Sequence, residues 1–472
     1  MLVDVTPPQP SRPASAAALF SHRDYRHLFG AQLVALFGNG LTTVALGLPA
    51  YQLAGPRAGA VLGTALTVKM VAYVLIAPLA SAWADRVPRR LALVSLDLVR
   101  ASVVLALPFV GQVWQVYVLI AVLQSASAAF TPTFQAVLPD ILPDERDYTR
   151  ALSYSQLASS METLLSPLLA AVLVGVVSFH WLFTGTAAGF LLSASLVVSS
   201  RIPDATRRIA DIAVLDRILA GVRIFTATPR LRGLMGLNVV VAAVGSIVMV
   251  NTVNLVQQTL GRSESDVAWL LAANGLGVIT VALSVPRLLE HVGERTLMLL
   301  GAVVLLAAIA GALVVSTATT DDWRYPILFP IWATIGVGTG LVLTPTGRVL
   351  RRSSSDEDRP ALFAAQFSLS HACWLLIYPT TGWLATTHGF TTTWTVLAVV
   401  AALGASVAPA CWPRRDNEPL VHIHEPGTDP NHLADARALP DGGLVHAHRI
   451  VIDADHRCWP RLDTLTGAAT KS

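Results

Sequence analysis

Six of the chain's twelve histidines fall between residues 422 and 456. They lie in two runs 24 residues apart, "LVHIHEPGTDPNH" from Leu420 and "LVHAHRIVIDADH" from Leu444, which share Leu, Val, His, His, Asp and His in the same register. On a β-strand, residues i and i+2 share a face, so His422 with His424, and His446 with His448, can converge on one ion. "HRIVID" has strand character and "PDGG" at 440–443 is a turn signal. The two runs are therefore expected to form an apposed pair, a β-hairpin. It would offer up to six imidazoles, from His422, His424, His432, His446, His448 and His456, with Glu425, Asp429 and Asp453 nearby. Neutral imidazole suits Ni²⁺, Co²⁺, Zn²⁺ and Cu²⁺, and the absence of paired cysteines argues against a soft Cu(I) site. A tail binding Ni²⁺, Co²⁺ or Zn²⁺ is one expectation; a solvated polar tail without metal is the other.

A second set of reactive groups sits inside otherwise apolar runs: Lys69, Asp97, Arg100, Glu162 and His371. Ionisable groups in hydrocarbon are expensive and are candidates for transport or coupling. Lys69 is one of only two lysines in the chain, the other being Lys471. Its ammonium, unlike a guanidinium, can change protonation when buried. Glu162 and His371 can carry a proton or ligate a cation. Asp97 and Arg100, three residues apart on one helix, can meet and neutralise each other. Lys69 and Glu162 could also pair, which the sequence leaves open.

The elements that must position these groups are membrane helices. The chain has 472 residues, is 53% hydrophobic and 13% charged, and has a mean hydropathy of +0.58. A soluble domain carries about 25% charged residues, so a soluble enzyme is excluded. Runs long enough to cross about 30 Å of hydrocarbon recur near 29–53, 58–83, 91–111, 114–138, 151–178, 181–200, 232–256, 266–289, 296–316, 325–347, 361–386 and 391–412. The expected fold is an all-α membrane protein of twelve transmembrane helices. A disordered tail (1–27) precedes a six-helix half (28–200), a central loop (201–231), a second six-helix half (232–412) and the His-rich tail (413–472). Arginine orients it. Alternate loops concentrate the arginines, while the opposite loops hold only Arg57, Arg262 and Arg324. The positive-inside rule then puts both termini in the cytoplasm. Cys373, Cys411 and Cys458 suggest no disulfide framework.

The halves also repeat each other. "TPTFQAVLPDILPDERDYTRALSYSQ" from Thr131 and "TPTGRVLRRSSSDEDRPALFAAQ" from Thr344 both run from Thr-Pro-Thr through a charged loop to Ala-Leu-x-x-x-Gln, at Gln156 and Gln366. Six-plus-six repeats of this kind mark transporters. Between the second and third runs, "SAWADRVPRRL" resembles the Gly-x-x-x-Asp-Arg-x-Gly-Arg-Arg signature of the major facilitator superfamily. Asp85, Arg86, Arg89 and Arg90 match, while Ser81 and Pro88 replace the glycines. "PRLLEHVGERTL" keeps Glu290, Gly293 and Arg295 as a degenerate copy. The resemblance covers residues 20–412. It implies a gate latch, in which the loop aspartate caps a helix of the other half, and alternating access around a midplane site.

With the histidine tail added, the chain is similar to the nickel-resistance branch of that superfamily. The resemblance implies proton-driven export of a divalent metal, Ni²⁺ first and then Co²⁺, from a monomer in a bacterial inner membrane. The expected partners are lipid, a small cation and protons, with no nucleic acid and no cofactor for transport. Drug or siderophore export is the alternative, with the tail regulatory or incidental. A non-transporting metal sensor is a third reading. An ATP-driven pump is disfavoured, since the sequence has no GxxxxGK[ST] loop, and no enzyme activity is expected.

Overall fold

The computed structural model describes residues 16–45, 67–76, 79–80, 87–144, 147–148, 150–151, 154–155, 158, 179–202, 214–252, 254–317, 323–355, 358–414, 416, 419–424, 437–438, 444–448, 450–452, 456 and 459. Ser81, Asp85, Arg86, Glu162 and His432 lie outside them.

The described chain is mostly helix: α1 (Ala16–Ser21), α2 (Arg23–Ala45), α3 (Thr67–Ile76), α4 (Arg89–Ala106), α5 (Val113–Ile141), α6 (Phe179–Ser199), α7 (Val214–Ala227), α8 (Pro229–Ser246), α9 (Glu264–His291), α10 (Glu294–Thr317), α11 (Arg324–Leu343), α12 (Thr346–Arg351) and α13 (Arg359–Cys411). Among the described residues, eight helical spans are long and apolar enough to cross a membrane. The expected runs near 58–83 and 151–178 fall largely outside the described residues.

Local sequence explains where several helices begin and bend. At α5, the Gln115 side chain accepts from the Gly111 and Gln112 amides (3.0 and 3.1 Å), satisfying donors that the first turn leaves open. At α9, Ser263 and Asp266 form a reciprocal capping box. Those hydrogen bonds from Ser263 hold the exposed Asp266 carboxyl below its ordinary value. α13 turns at Gly389, whose φ of +79° is a left-handed conformation natural to glycine. Beyond α8 the helix continues as π-type turns over Ile247–Asn251 and Asn254–Thr259.

In the first half, α2, α4, α5 and α6 pack around Leu28, Leu93, Phe134, Val104 and Phe190. In the second, α8 lies against α13 and α9 against α11 around Leu237, Val244, Trp332 and Trp394. The α9–α11 crossing is so close that a Cβ at Gly277 would lie 2.1 Å from the Ala333 carbonyl oxygen.

Three features differ from the sequence expectation or add to it. Residues 16–27, expected within a disordered tail, form α1 and the start of α2, and Leu19 and Tyr25 are buried in the core of the first half. The segment 201–231 is not simply a loop, because α7 occupies its second part. Val214, Ile218, Val222 and Phe225 recur at helical spacing, and Ile224 and Phe225 are buried. The tail, in turn, is joined to the helical body. Strands β1 (Leu420–His424), β2 (Arg437–Ala438) and β3 (Leu444–His448) form a sheet of order β1-β3-β2. Ile450 and Ile452 enter the core of the second half.

Candidate functional site

A cavity of about 270 Å³ lies where the halves meet. From the first half, Gln32, Asn39, Arg100, Phe130, Thr131 and Phe134 line it; from the second, Thr344, Thr346, Phe363, Gln366, Phe367 and His371. Thr131 and Thr344 are the first residues of the two Thr-Pro-Thr repeats, so repeated positions contribute to opposite walls. The polar lining groups are partly held by protein contacts. Ser155 Oγ donates to Gln32 Oε1 (2.9 Å), and Gln366 exchanges hydrogen bonds with Asn238 (3.3 Å). Aromatic faces, amides and hydroxyls dominate the surface, and no carboxylate is among the described lining residues.

The structure brings several sequence candidates together. Arg100 pairs with Asp97 on α4, and Ser193 Oγ of α6 donates to the second Asp97 oxygen at 2.7 Å. The Arg100 guanidinium lies 4.2 Å from the Phe130 ring centroid and 4.7 Å from that of Phe190. Lys69 Nζ stands 5.7 Å from the Tyr73 ring centroid, and Tyr73 packs edge-on against His371 at 4.8 Å. This row links α3 to α13, and Ser368 Oγ donates to the Tyr73 carbonyl (3.4 Å). His371 Nδ1 is 2.7 Å from the Phe367 carbonyl.

Beyond one end of the cavity, contacts cross between the halves. Asp140, at the end of α5, pairs with Arg89 of the first half and with Arg359 of the second (3.7 Å). Arg351 donates to the Pro143 carbonyl (3.2 Å) and lies over the Tyr148 ring at 4.9 Å. Tyr148 donates to the Gly347 carbonyl at 3.4 Å, and burial pushes its phenol above the usual value. Arg90 donates to the Val198 carbonyl. The sequence motif places the latch on Asp85, which lies outside the described residues; among those described, Asp140, Arg359, Arg351 and Tyr148 make the cross-half contacts. Asp140 stands inside the repeated segment that begins at Thr131, which was the available signal. In the second copy of the loop, Glu294 is buried and holds Arg348 and Arg352, each at 2.8 Å. The sequence motif alone picks out Glu290, Gly293 and Arg295 there.

In the tail, His422 and His446 are register partners across β1 and β3. Strand alternation places positions 422, 424, 446 and 448 on one face of the pair. His448 Nε2 lies 3.2 Å from His456 Nε2. No cluster of three or more His, Cys, Asp or Glu that could hold a metal occurs among the described residues. Arg230 ties the tail to the body. It donates to Ser353 Oγ (2.7 Å) and to the carbonyls of Arg352 (3.0 Å) and Ile450 (3.3 Å), and it faces Asp416 at 3.6 Å. Nothing in the sequence pointed to that hub.

Comparison with known proteins fits this architecture. YfiS, an uncharacterised MFS-type transporter of Bacillus subtilis (strain 168), is 25% identical over 261 residues, which are 54% of this chain. The match spans 62% of that relative's length. The multidrug efflux pump Tap of Mycolicibacterium fortuitum is 24% identical over 392 residues, covering 80% of this chain and 93% of the pump. The crystal structure of the human organic anion transporter MFSD10 superposes with a TM-score of 0.68 at 16% identity, covering 82% of this chain and 99% of that one, a likeness of fold. The model of the Major Facilitator Superfamily matches residues 28–232 and again 233–445, one match on each side of the cavity, and the chain belongs to that family.

Proposed function

We propose that this multi-pass membrane transporter is a secondary active exporter of amphipathic organic compounds. It works by alternating access between two six-helix halves of a twelve-helix fold and is driven by protons. The observation that carries the reading is the cavity between the halves, apolar and amide-lined, with cross-half contacts beyond one end of it. Aromatic faces and a few placed polar groups suit an organic ligand. A divalent cation needs anionic or imidazole ligands, and the described lining offers the imidazole of His371 alone. The similarity to Tap supports multidrug-type export.

In this reading the Asp140–Arg359 and Arg351–Pro143 contacts are the closed latch on the cytoplasmic side. Both termini and the tail sit there, in a bacterial inner membrane, and the transporter is a monomer. The Lys69–Tyr73–His371 row across the halves is the candidate coupling element.

One observation favours a second reading, export of Ni²⁺ or Co²⁺ with the tail as collector. The His448 and His456 Nε2 atoms stand 3.2 Å apart. Two imidazoles each about 2.0–2.1 Å from one tetrahedral ion have nearly that separation. That spacing would suit two ligands of a bound Ni²⁺, Co²⁺ or Zn²⁺ in this reading, with His422, His424 and His446 as the further candidates from the sequence.

The test is accumulation in an efflux-deficient bacterial host, with an amphipathic dye and total Ni²⁺ and Co²⁺ measured in the same cells. The organic reading expects lowered dye with unchanged metals. Lowered metal with unchanged dye installs the second reading. No change in either, with the protein demonstrably in the membrane, removes both.

A further inference from the structure

Building on the organic-export reading, we propose that Arg100 is the polar anchor of the transport site. Its Nε–H takes an acceptor oxygen of the substrate, a carboxylate or a carbonyl, and Asp97 is its fixed counter-ion. Three observations converge on this assignment. Arg100 is the one permanently charged side chain lining the cavity among the described residues. Its side chain is 1% exposed, and its Nε finds no hydrogen-bond partner among those residues. Asp97 is fully buried behind it and does not line the cavity.

The alternative is that the Asp97–Arg100–Ser193 group is only a staple between α4 and α6. A staple explains both Asp97 oxygens, one held by Arg100 Nη2 and the other by Ser193 Oγ. It does not explain why Arg100 lines the cavity while one of its buried donors goes unmet among the described residues, which is costly in a low-dielectric site. Nor does a staple need the Phe130 and Phe190 rings beside the guanidinium. Such rings limit its rotation.

The pair is neutral overall, so a carbonyl can dock without adding charge to the site. A carboxylate adds one, and it gains when Asp97 is neutralised. Arginine is specific for this task, since lysine offers a point charge without the planar fork.

The experiment uses the purified full-length chain in lipid nanodiscs and three dansyl-labelled decyl probes ending in a carboxylate, a methyl ester or a plain methyl group. Binding is read by fluorescence. Wild type is expected to prefer the carboxylate and ester over the methyl probe. Arg100→Lys should weaken the two oxygen-bearing probes about tenfold, equivalent to about 1.4 kcal/mol, and leave the methyl probe within about twofold. Asp97→Asn should tighten the carboxylate probe alone. Because a single change can leave a buried charge uncompensated and unfold the protein, the neutral double variant Asp97→Asn/Arg100→Gln is measured as well. It should bind all three probes alike. Wild-type preference surviving in Arg100→Lys and in the double variant overturns the proposal, as does a wild type that binds the three probes equally. That last outcome leaves organic export standing. A wild type that binds none of them removes organic export and this proposal together.

Discussion

Arg89 and Glu294 occupy the same turn of the two halves with opposite charge. Val87-Pro88-Arg89-Arg90 opens α4, and Val292-Gly293-Glu294-Arg295 opens α10. Arg89 reaches Asp140 at the end of α5, and Glu294 reaches Arg348 and Arg352 beyond the end of α11. The next residues also correspond. Arg90 donates to the Val198 carbonyl near the end of α6, and Arg295 Nε donates to the Trp412 carbonyl (2.9 Å) just past α13. A guanidinium at a helix C-terminus satisfies open carbonyls and complements the helix dipole. Each half is thus stapled at its charged end by the same construction with the charges exchanged. Asp140 adds the bridge to Arg359 of the other half.

Charge reversal separates the staple from the bridge. Arg89→Glu places two carboxylates together and should lower both the melting temperature and dye export. Adding Asp140→Arg rebuilds the staple, so thermal stability should recover. Export should stay low, because a cation at position 140 then faces Arg359. A third change, Arg359→Glu, should restore export to at least half of wild type. Thermal unfolding in detergent and dye accumulation in cells check this. Full export in the double variant would show that the Asp140–Arg359 contact does not serve the gate.

The architecture was legible in the sequence wherever it depended on local pattern. Apolar runs and the Thr-Pro-Thr repeat are properties of neighbouring residues. So is the three-residue spacing of Asp97 and Arg100, which puts both on one helical face. Partners distant in sequence were not legible. Asp140 meets Arg359 across more than two hundred residues, and no periodicity encodes that meeting. The second-half loop shows the same limit. Glu290 lies in the last turn of α9 and Glu294, four residues on across the break at Val292-Gly293, opens α10, and only the packed position of α12 selects Glu294. In the tail, alternation gave the histidine spacing, but the burial of Ile450 and Ile452 depends on a surface of the second half that the tail sequence does not describe.

The tail should behave as a docked part of the second half. Ile450 and Ile452 are 2% and 1% exposed, and Arg230 holds the Ile450 carbonyl. Replacing a buried isoleucine by alanine costs about 2–5 kcal/mol. At Ile452 that loss falls mostly on the tail's own docking. Ile452→Ala should therefore make the chain beyond residue 413 sensitive to limited proteolysis at protease levels that spare it in wild type, with little change in the main melting transition. Equal protease resistance would mean that the docking contacts are weak. With Ni²⁺ or Zn²⁺ added, wild type should gain further protection and a His448→Ala/His456→Ala variant should not. Protection that survives in the double variant would place the metal elsewhere.

Alternating access makes a sharper demand on the latch, because the two bonds of Asp140 must behave differently during transport. The Arg89–Asp140 pair lies within one half and, under the proposed mechanism, would travel with it. The Asp140–Arg359 pair spans the halves and, under the same mechanism, would break in every cycle. With Cys373, Cys411 and Cys458 replaced by serine, Asp140→Cys with Arg359→Cys can be joined by a short bis-maleimide. Arg89→Cys with Asp140→Cys serves as the intra-half comparison. Both pairs should cross-link, and only the cross-half link should stop dye export. A cleavable linker should give the export back on reduction. Both variants lose the Asp140 carboxylate, so each is compared with its own activity before linking. Undiminished export from a quantitatively cross-linked Asp140→Cys/Arg359→Cys variant would mean that the halves do not separate at this end, and the alternating-access mechanism proposed for the chain would fall with it.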